Sequence, residues 1–318
     1  MIVDLPDTTT SALSKALVKI REEGGAVALG RVLTLVIATP LGEEEEVIEA
    51  ANDASREHPM RVIVLSRNRD RSGEEARLDG QIRVGGDAGA SEVIVLRVYG
   101  AAASDEEGLV TSLLLPDAPV VVWWPRTAPD SPADSALGRI AQRRITDAGT
   151  QDDPVRTLVA LGDRYRPGDT DFAWTRLTLW RAQLAAVLDQ PPYSPVTAVT
   201  VRGAADSPST ELLAAWLSLQ LQVPVTLEVT AERGSSGIHG VTLERPTGAI
   251  ELERNAPGIA TLQQPGQPTH DISLPRRSLR DCLAEELRRL DPDDLYGEVI
   301  QKGLPLLAAA TGAGTERK

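Results

Sequence analysis

Apolar positions recur along this chain with two periods, and the switches between them mark its elements. Over residues 10–23, Leu13, Ala16, Leu17 and Ile20 fall at helical spacing and predict an amphipathic helix that stops at Gly24-Gly25. The run RVLTLVIAT (31–39) is β-branched and almost wholly apolar, the pattern of a strand covered on both faces. GEEEEVIEAANDASREH follows, with four glutamates suited to a helix N-terminus, Val47, Ile48, Ala51 and Ala54 on one face, and Pro59 as its limit. RVIVLS (61–66), GQIRV and EVIVLRVYG (92–100) predict three more strands, 105–115 a short helix and APVVVWW (118–124) a further strand.

The second half partly repeats this order of elements without repeating the residues. PVTAVTVRG (195–203) predicts a strand, and Ser207-Pro208 an N-cap with proline at the first position of a helix reaching about Leu221. VTLEVT, GVTLER, GAIELER and GIATLQQ alternate apolar and polar residues between Gly and Pro turns, which predicts an antiparallel meander with one solvated face. Ser278 and Asp281 stand at capping-box spacing before Leu279, Leu283, Leu287 and Leu290, and Asp291-Pro292 opens a last helix. Helices are expected near 134–145 and 171–188 between the two sheets. The pattern predicts an α/β fold of two sequential domains of similar element order, each a mixed sheet with flanking helices. Residues 1–168 form the expected N-terminal α/β domain, 169–303 the C-terminal α/β domain with the meander, and 304–318 a flexible tail.

Composition narrows the partners. Lys plus Arg number 33 against 46 Asp plus Glu, so the net charge of −13 repels phosphate backbones and anionic lipid surfaces; neither nucleic acid nor a membrane is an expected partner. One cysteine, Cys282, makes no intramolecular disulfide, and three scattered histidines (His58, His239, His270) offer no metal spacing. The N-terminal stretch lacks the basic start and apolar core of a signal peptide, and no apolar run approaches the roughly 20 residues that span a bilayer, so a cytoplasmic protein is expected.

Motifs for catalysis or cofactor binding are missing: there is no GxGxxG after a strand, GxxxxGK[ST], GxSxG, HExxH or CxxC. Neither enzymatic activity nor a cofactor is expected. The Gly85-Gly86-Asp87-Ala88-Gly89 run precedes a strand rather than a helix, and GSSG (234–237) suits a hairpin turn. SRNRDRSG places Arg67, Arg69 and Arg71 beyond the end of a strand, where open α/β sheets bind ligands; the choice there is between an anion site and a solvated loop neutralised by Asp70. Trp123 and Trp124 point to opposite faces of their strand, so both are buried only if both faces are covered. Read as a helix, LGRIAQRRITDA (137–148) puts Arg139 and Arg143 on a solvated face, whereas Arg144 continues the apolar stripe and requires a buried acid or an escape past the helix end.

The stretch DFAWTRLTLWR (171–181) concentrates the chain's single phenylalanine and two of its five tryptophans beside two arginines. Asp171 can cap a helix on which Ala173, Leu177, Trp180, Leu184 and Leu188 form the buried stripe. Trp174, Thr178 and Arg181 lie along a neighbouring face, with Arg176 on a third. Trp174 and Arg181 are then either accessible together, as in interface hot spots, or a domain seam with arginines paired to Asp147, Asp152 or Asp171.

APVVVWWP, LGRIAQRRITDA and DFAWTRLTLWR in this order and spacing, followed by RRSLRDCLAEELRRLDPDDLYGEVI, resemble the OpcA family, the glucose-6-phosphate dehydrogenase assembly proteins of actinobacteria and cyanobacteria. The resemblance spans most of residues 25–300. It implies a non-catalytic partner that binds glucose-6-phosphate dehydrogenase and promotes its assembly or allosteric activation, at the entry to the oxidative pentose phosphate pathway. In cyanobacterial members the family is linked with redox control, and Cys282 alone supplies no dithiol within this chain. From residue type, Trp123, Trp124, Arg126, Arg143, Arg144, Trp174, Arg176 and Arg181 are the candidates for contacting the partner or supporting the contact. The alternative is a sugar-phosphate-binding or catalytic α/β protein using an arginine-lined site.

Overall fold

A computed structural model describes residues 1–23, 30–67, 75–85, 92–230 and 237–315. They divide into two compact units, Met1–Asp147 with Gly168–Thr170 and Ser278–Pro292, and Ala148–Pro167 with Asp171–Arg277 and Asp293–Lys318. Relative to a cut at residue 168, the segment Ser278–Pro292 belongs with the first unit.

The chain opens with β1 (Ile2–Leu5) and α1 (Thr10–Glu23), then β2 (Leu33–Thr39), α2 (Glu44–Ala54) and β3 (Met60–Arg67). β4 (Arg77–Val84) and β5 (Glu92–Tyr99) precede α3 (Glu106–Thr111), β6 (Val120–Trp123), α4 (Ala136–Arg139) and β7 (Arg143–Thr146). These strands, with β8 (Asp169–Asp171) after α5 (Pro154–Asp163), form an eight-stranded sheet in the order β1-β4-β5-β3-β2-β6-β7-β8. Its centre is parallel: β2 pairs with β3 and β6, β3 with β5, and β6 with β7. β4 joins β5 antiparallel and carries β1 on its outer side. β2, β3 and β5 are rich in Leu, Ile and Val because both of their faces are buried.

One expected helix is not formed. Residues 137–148 contain only α4, capped by Ser135, whose Oγ accepts from the Gly138 N–H at 3.0 Å, and then turn into β7. Ile145 and Thr146 are β-branched, and both edges of β7 are taken: Val121, Val122 and Trp123 of β6 stand beside Arg143, Arg144 and Ile145, while the Arg144 N–H donates to Gly168 O at 2.9 Å. Sheet pairing outweighs the weak helical spacing of this segment.

In the second unit, α6 (Phe172–Thr175) and α7 (Thr178–Leu188) stand where one helix over 171–188 is expected. The Thr175 carbonyl accepts from Thr178 Oγ1 at 3.0 Å and from Arg277 Nη1 at 3.2 Å, and the helix restarts after it. β9 (Ala198–Ala204), α8 (Pro208–Leu221) and β10 (Val225–Thr230) make a parallel crossover. β11 (Ile238–Glu244), β12 (Ile250–Ala256), β13 (Ile259–Gln263) and β14 (His270–Ser273) complete a six-stranded sheet ordered β10-β9-β11-β12-β13-β14. β10 therefore lies outside the meander, parallel to β9 on its far side, and β14 is a strand the apolar pattern does not announce.

α9 (Leu279–Arg288) starts at a capping box in which Ser278 Oγ accepts from the Asp281 N–H and Asp281 returns the bond to the Ser278 N–H. α10 (Asp294–Glu298), a wide turn over Val299–Gly303 and α11 (Leu304–Thr315) end the described chain. Where a flexible tail is expected from residue 304, the chain is helical, and Leu304 and Leu307 are buried in the second core with Trp174, Trp180, Leu213 and Tyr296. Among the described residues no helix is long and apolar enough to cross a membrane, and no cluster of three or more His, Cys, Asp or Glu side chains could hold a metal.

Candidate functional site

The first unit uses its central arginines internally. Arg143 and Arg144 are adjacent on β7 and so point to opposite faces of the sheet, and both are buried. Arg143 donates Nε and Nη2 to Glu286 Oε2 at 3.0 and 2.5 Å and Nη1 to Asp291 O at 2.7 Å. Thr170 adds its hydroxyl to Glu286 Oε1 at 3.3 Å. This buried pair ties α9 to the sheet, beside the burial of Cys282, Leu283 and Leu287. Arg144 pairs with Asp169 and donates Nη1 to Ala141 O at 2.8 Å. The sequence expectation that Arg144 needs a buried acid is met by Asp169, whereas the solvated face expected for Arg143 is replaced by a buried ion pair.

Trp123 ends β6 and Trp124 follows it, and both rings are buried, Trp124 in the core with Leu13, Val110 and Leu137. Beyond them the sheet order reverses between β2 and β6, the point at which open α/β sheets accept phosphorylated ligands. In this protein carboxylates occupy it. Arg126 donates to Glu43 Oε2 at 2.7 Å and to Glu46 Oε2 at 3.1 Å, and Arg83 reaches Glu45 Oε1 at 2.5 Å. Buried Glu44 accepts from Ser66 Oγ at 2.6 Å and faces Arg97 at 3.3 Å. The Arg83 hydrogen bond holds the Glu45 carboxyl below its usual range, against a smaller opposing effect of burial. Glu43 at the N-cap position and Glu44, Glu45 and Glu46 in the first turn of α2 complement the helix dipole from within the chain.

The second unit arranges its aromatic-arginine stretch differently. Asp171 caps α6, Oδ1 accepting from the Ala173 N–H at 2.8 Å and Oδ2 from the Ala148 N–H at 2.9 Å. Trp174 is buried, donates Nε1 to Asp293 Oδ2 at 2.8 Å and packs on Tyr296 with ring centroids 5.8 Å apart. Its ring lies beneath the Arg181 guanidinium, 3.8 Å from the centroid, so the shared face read from the sequence exists as a cation–π stack with a buried ring. Trp180 is core and carries Arg254 5.1 Å from its ring centroid. Arg176 turns to a cavity of about 380 Å³ that it shares with Trp180, Arg254, Arg276, Arg277 and the cap and first turn of α8, Ser207 to Ser209.

Arg254, Arg276 and Arg277 escaped the sequence reading because they are distant from Arg176 in the chain and only β12 and the segment after β14 bring them together. The doublet Arg276-Arg277 is the one local signal that could have found them. Of the three arginines expected beyond this strand, Arg67 is the last residue of β3 and pairs with Glu106, while Arg69 and Arg71 lie outside the described residues, as do Gly24-Gly25 and residues 86–91 and 231–236.

The geometry defines a class first: an α/β protein whose N-terminal sheet is doubly wound but whose switch point is lined by glutamates in place of a glycine-rich phosphate turn. Family models agree with the sequence resemblance. Residues 51–163 match the glucose-6-phosphate dehydrogenase subunit N-terminal domain, and residues 167–300 match the C-terminal domain of the same subunit. The chain belongs to the OpcA family of glucose-6-phosphate dehydrogenase assembly proteins. No curated protein matches it. Among solved structures it is similar to an oxidoreductase from Sinorhizobium meliloti, at 11% identity and a TM-score of 0.51 over 90% of this chain and 98% of that one. Myo-inositol dehydrogenase from Lactobacillus casei matches at 12% identity and a TM-score of 0.47 over 90% and 96%. At such identities the likeness to the first is one of fold alone.

Proposed function

We propose that this protein is a non-catalytic partner of glucose-6-phosphate dehydrogenase that binds the enzyme and promotes its assembly or allosteric activation at the entry to the oxidative pentose phosphate pathway, in the cytoplasm. The observation that carries this reading is the pair of family matches, which together span most of residues 51–300 and both describe a subunit of that dehydrogenase. The switch point supports it. A dinucleotide pyrophosphate there would meet Glu43, Glu44, Glu45 and Glu46, a donor set that repels it, so these residues do not fit a bound dinucleotide.

Activation by a partner requires only that it bind the active dehydrogenase assembly more tightly than the inactive or dissociated form. Of the candidate residues, Arg126, Arg176 and Arg181 keep part of their side chains accessible and are assigned to contact. Trp123, Trp124, Arg143, Arg144 and Trp174 are buried and are assigned to support. The test is the rate of the same organism's dehydrogenase against glucose 6-phosphate concentration, with and without this protein, together with light-scattering mass on the same mixtures. A changed rate with a heavier complex is the expected result; no change and no complex, with both proteins folded, overturns the reading.

A further inference from the structure

We propose that the corner of the second unit formed by Tyr193 and Arg245 is an anchor for glucose-6-phosphate dehydrogenase, the tyrosine ring packing on the enzyme's surface and the arginine receiving one of its carboxylates. The inference rests on the dehydrogenase reading and extends the contact to residues outside the aromatic-arginine stretch.

Arg245 departs from the other buried arginines. Among the described residues five are buried: Arg61, Arg83, Arg143 and Arg144 pair with Glu92, Glu45, Glu286 and Asp169, whereas Arg245, 9% exposed, meets no carboxylate. Its side chain makes one long hydrogen bond, Nη1 to Pro192 O at 3.4 Å. Nε is buried without an acceptor, and Nη2 is neither bonded nor fully buried. A guanidinium withdrawn from water is unfavourable unless an acid meets it, and the other four are arranged accordingly. A carboxylate reaching Nη2 from outside the chain would complete the same arrangement at Arg245.

Tyr193 stands beside this arginine. Pro192 O, the acceptor of Arg245, also accepts from the Ser194 N–H at 2.8 Å, a three-residue turn with Tyr193 at its tip. The Thr197 N–H donates to Glu244 O at 2.8 Å, so the segment runs along the end of β11 and Arg245 braces the turn. Of the chain's five tryptophans, four tyrosines and one phenylalanine, all within the described residues, Tyr193 alone is exposed, at 78%. A single exposed apolar residue is ordinary on a protein surface. This one is held out on a turn stiffened by Pro191, Pro192 and Pro195, where little freedom is left to lose on binding, and its neighbour is the buried arginine that lacks an acid. Tyrosine and arginine are also, with tryptophan, the residues that dominate interface hot spots.

The exposure of the ring selects the occupant. A side chain so open encloses no small molecule, and it suits the flat contact of another protein. A second copy of this chain is disfavoured by the net charge of −13, which repels its like.

The experiment is calorimetric titration of the full chain into the same organism's dehydrogenase, with light-scattering mass of each protein alone. Tyr193→Ala, at a position that touches little of its own fold, is expected to weaken the complex about tenfold. Arg245→Gln keeps a donor for Pro192 O and loses the charge, and is expected to weaken it by a similar factor, with Arg245→Lys, which keeps both, falling between Gln and the wild type. Circular dichroism and thermal melting check that each variant is folded; if Arg245→Gln does not fold, Tyr193→Ala and Arg245→Lys carry the test. Binding by the wild type with undiminished affinity in Tyr193→Ala overturns the proposal and leaves the dehydrogenase reading standing, whereas no binding by the wild type overturns both. Equal affinities of the wild type and folded Arg245→Gln overturn the carboxylate assignment. A dimer of this chain alone that Tyr193→Ala dissociates assigns the corner to a second copy and overturns its assignment to the enzyme.

Discussion

Two turns of this molecule have the same architecture and opposite chemistry. Each leaves the carboxyl end of a parallel strand, β2 or β9, and enters the helix of a crossover, α2 or α8. At α2 the chain places four consecutive glutamates and clamps them with Arg126, Arg83 and Arg97. At α8 it places a serine cap, a proline and one later acid, Glu211, and surrounds the cavity there with arginines from other elements. A strand-to-helix turn is therefore not a phosphate site by topology. What differs is what stands at the start of the helix: four glutamates at α2, a serine cap and a proline at α8.

The largest test of this contrast is energetic. In the first unit the arginines are built into the fold, so Arg143→Ala strands Glu286 in a buried position and is expected to cost about 3–5 kcal/mol. Arg276→Ala, at the exposed rim of the cavity, is expected to cost less than about 1 kcal/mol. Urea unfolding of the two variants measures the difference, and equal costs would break the comparison.

A smaller effect is expected at the switch point. Arg126 is partly exposed, as are Glu43 and Glu46, so Arg126→Ala should lower stability by no more than about 1 kcal/mol, and the loss should shrink as salt is raised. A salt-independent loss of several kcal/mol would show that this cluster is part of the core after all.

The smallest effects separate the two helices by sign. Glu45 at α2 has its pKa lowered, first by the hydrogen bond from Arg83, so the native state binds fewer protons than the unfolded chain. Its stabilisation is present above the ordinary carboxylate pKa and fades as pH falls through the depressed value. Glu45→Gln should destabilise at neutral pH and be neutral in acid. Glu211 at α8 has its pKa raised by burial, so native protein binds the extra proton and stability falls as pH rises from the ordinary carboxylate value through the raised one. Glu211→Gln should stabilise at neutral pH and lose that advantage in acid. Thermal melting of both variants across the carboxylate range decides it, and like signs would remove the distinction between the two first turns.

Much of the framework was legible. Largely apolar runs located β2, β3 and β5, because strands buried on both faces leave few polar positions, and Ser207-Pro208 and Ser278 marked helix starts, because capping is a local interaction. The failures fall where local and distant demands disagree. Residues 143–146 have the spacing of a helix, yet strands β6 and β8 satisfy their backbone; β8 lies beyond α5 in the chain, out of reach of any window along the sequence.

The candidate site divides in the same way. That Trp174, Thr178 and Arg181 share a face follows from helical periodicity, and the stack of Arg181 on Trp174 confirms the spacing. Its consequence does not follow from spacing, since burial of the Trp174 ring depends on Tyr296 and Asp293, more than a hundred residues away. The sequence by itself determined which segments are strands covered on both faces, where helices begin and which family the chain resembles, since periodicity, caps and long motifs are properties of neighbouring residues. The tertiary structure decided which distant charges meet and which residues share a cavity wall. Coulombic and hydrogen-bond energies act through space at a few ångströms, and Arg143 finding Glu286, or Arg176 sharing a wall with Arg254, is set by sheet order rather than by chain order.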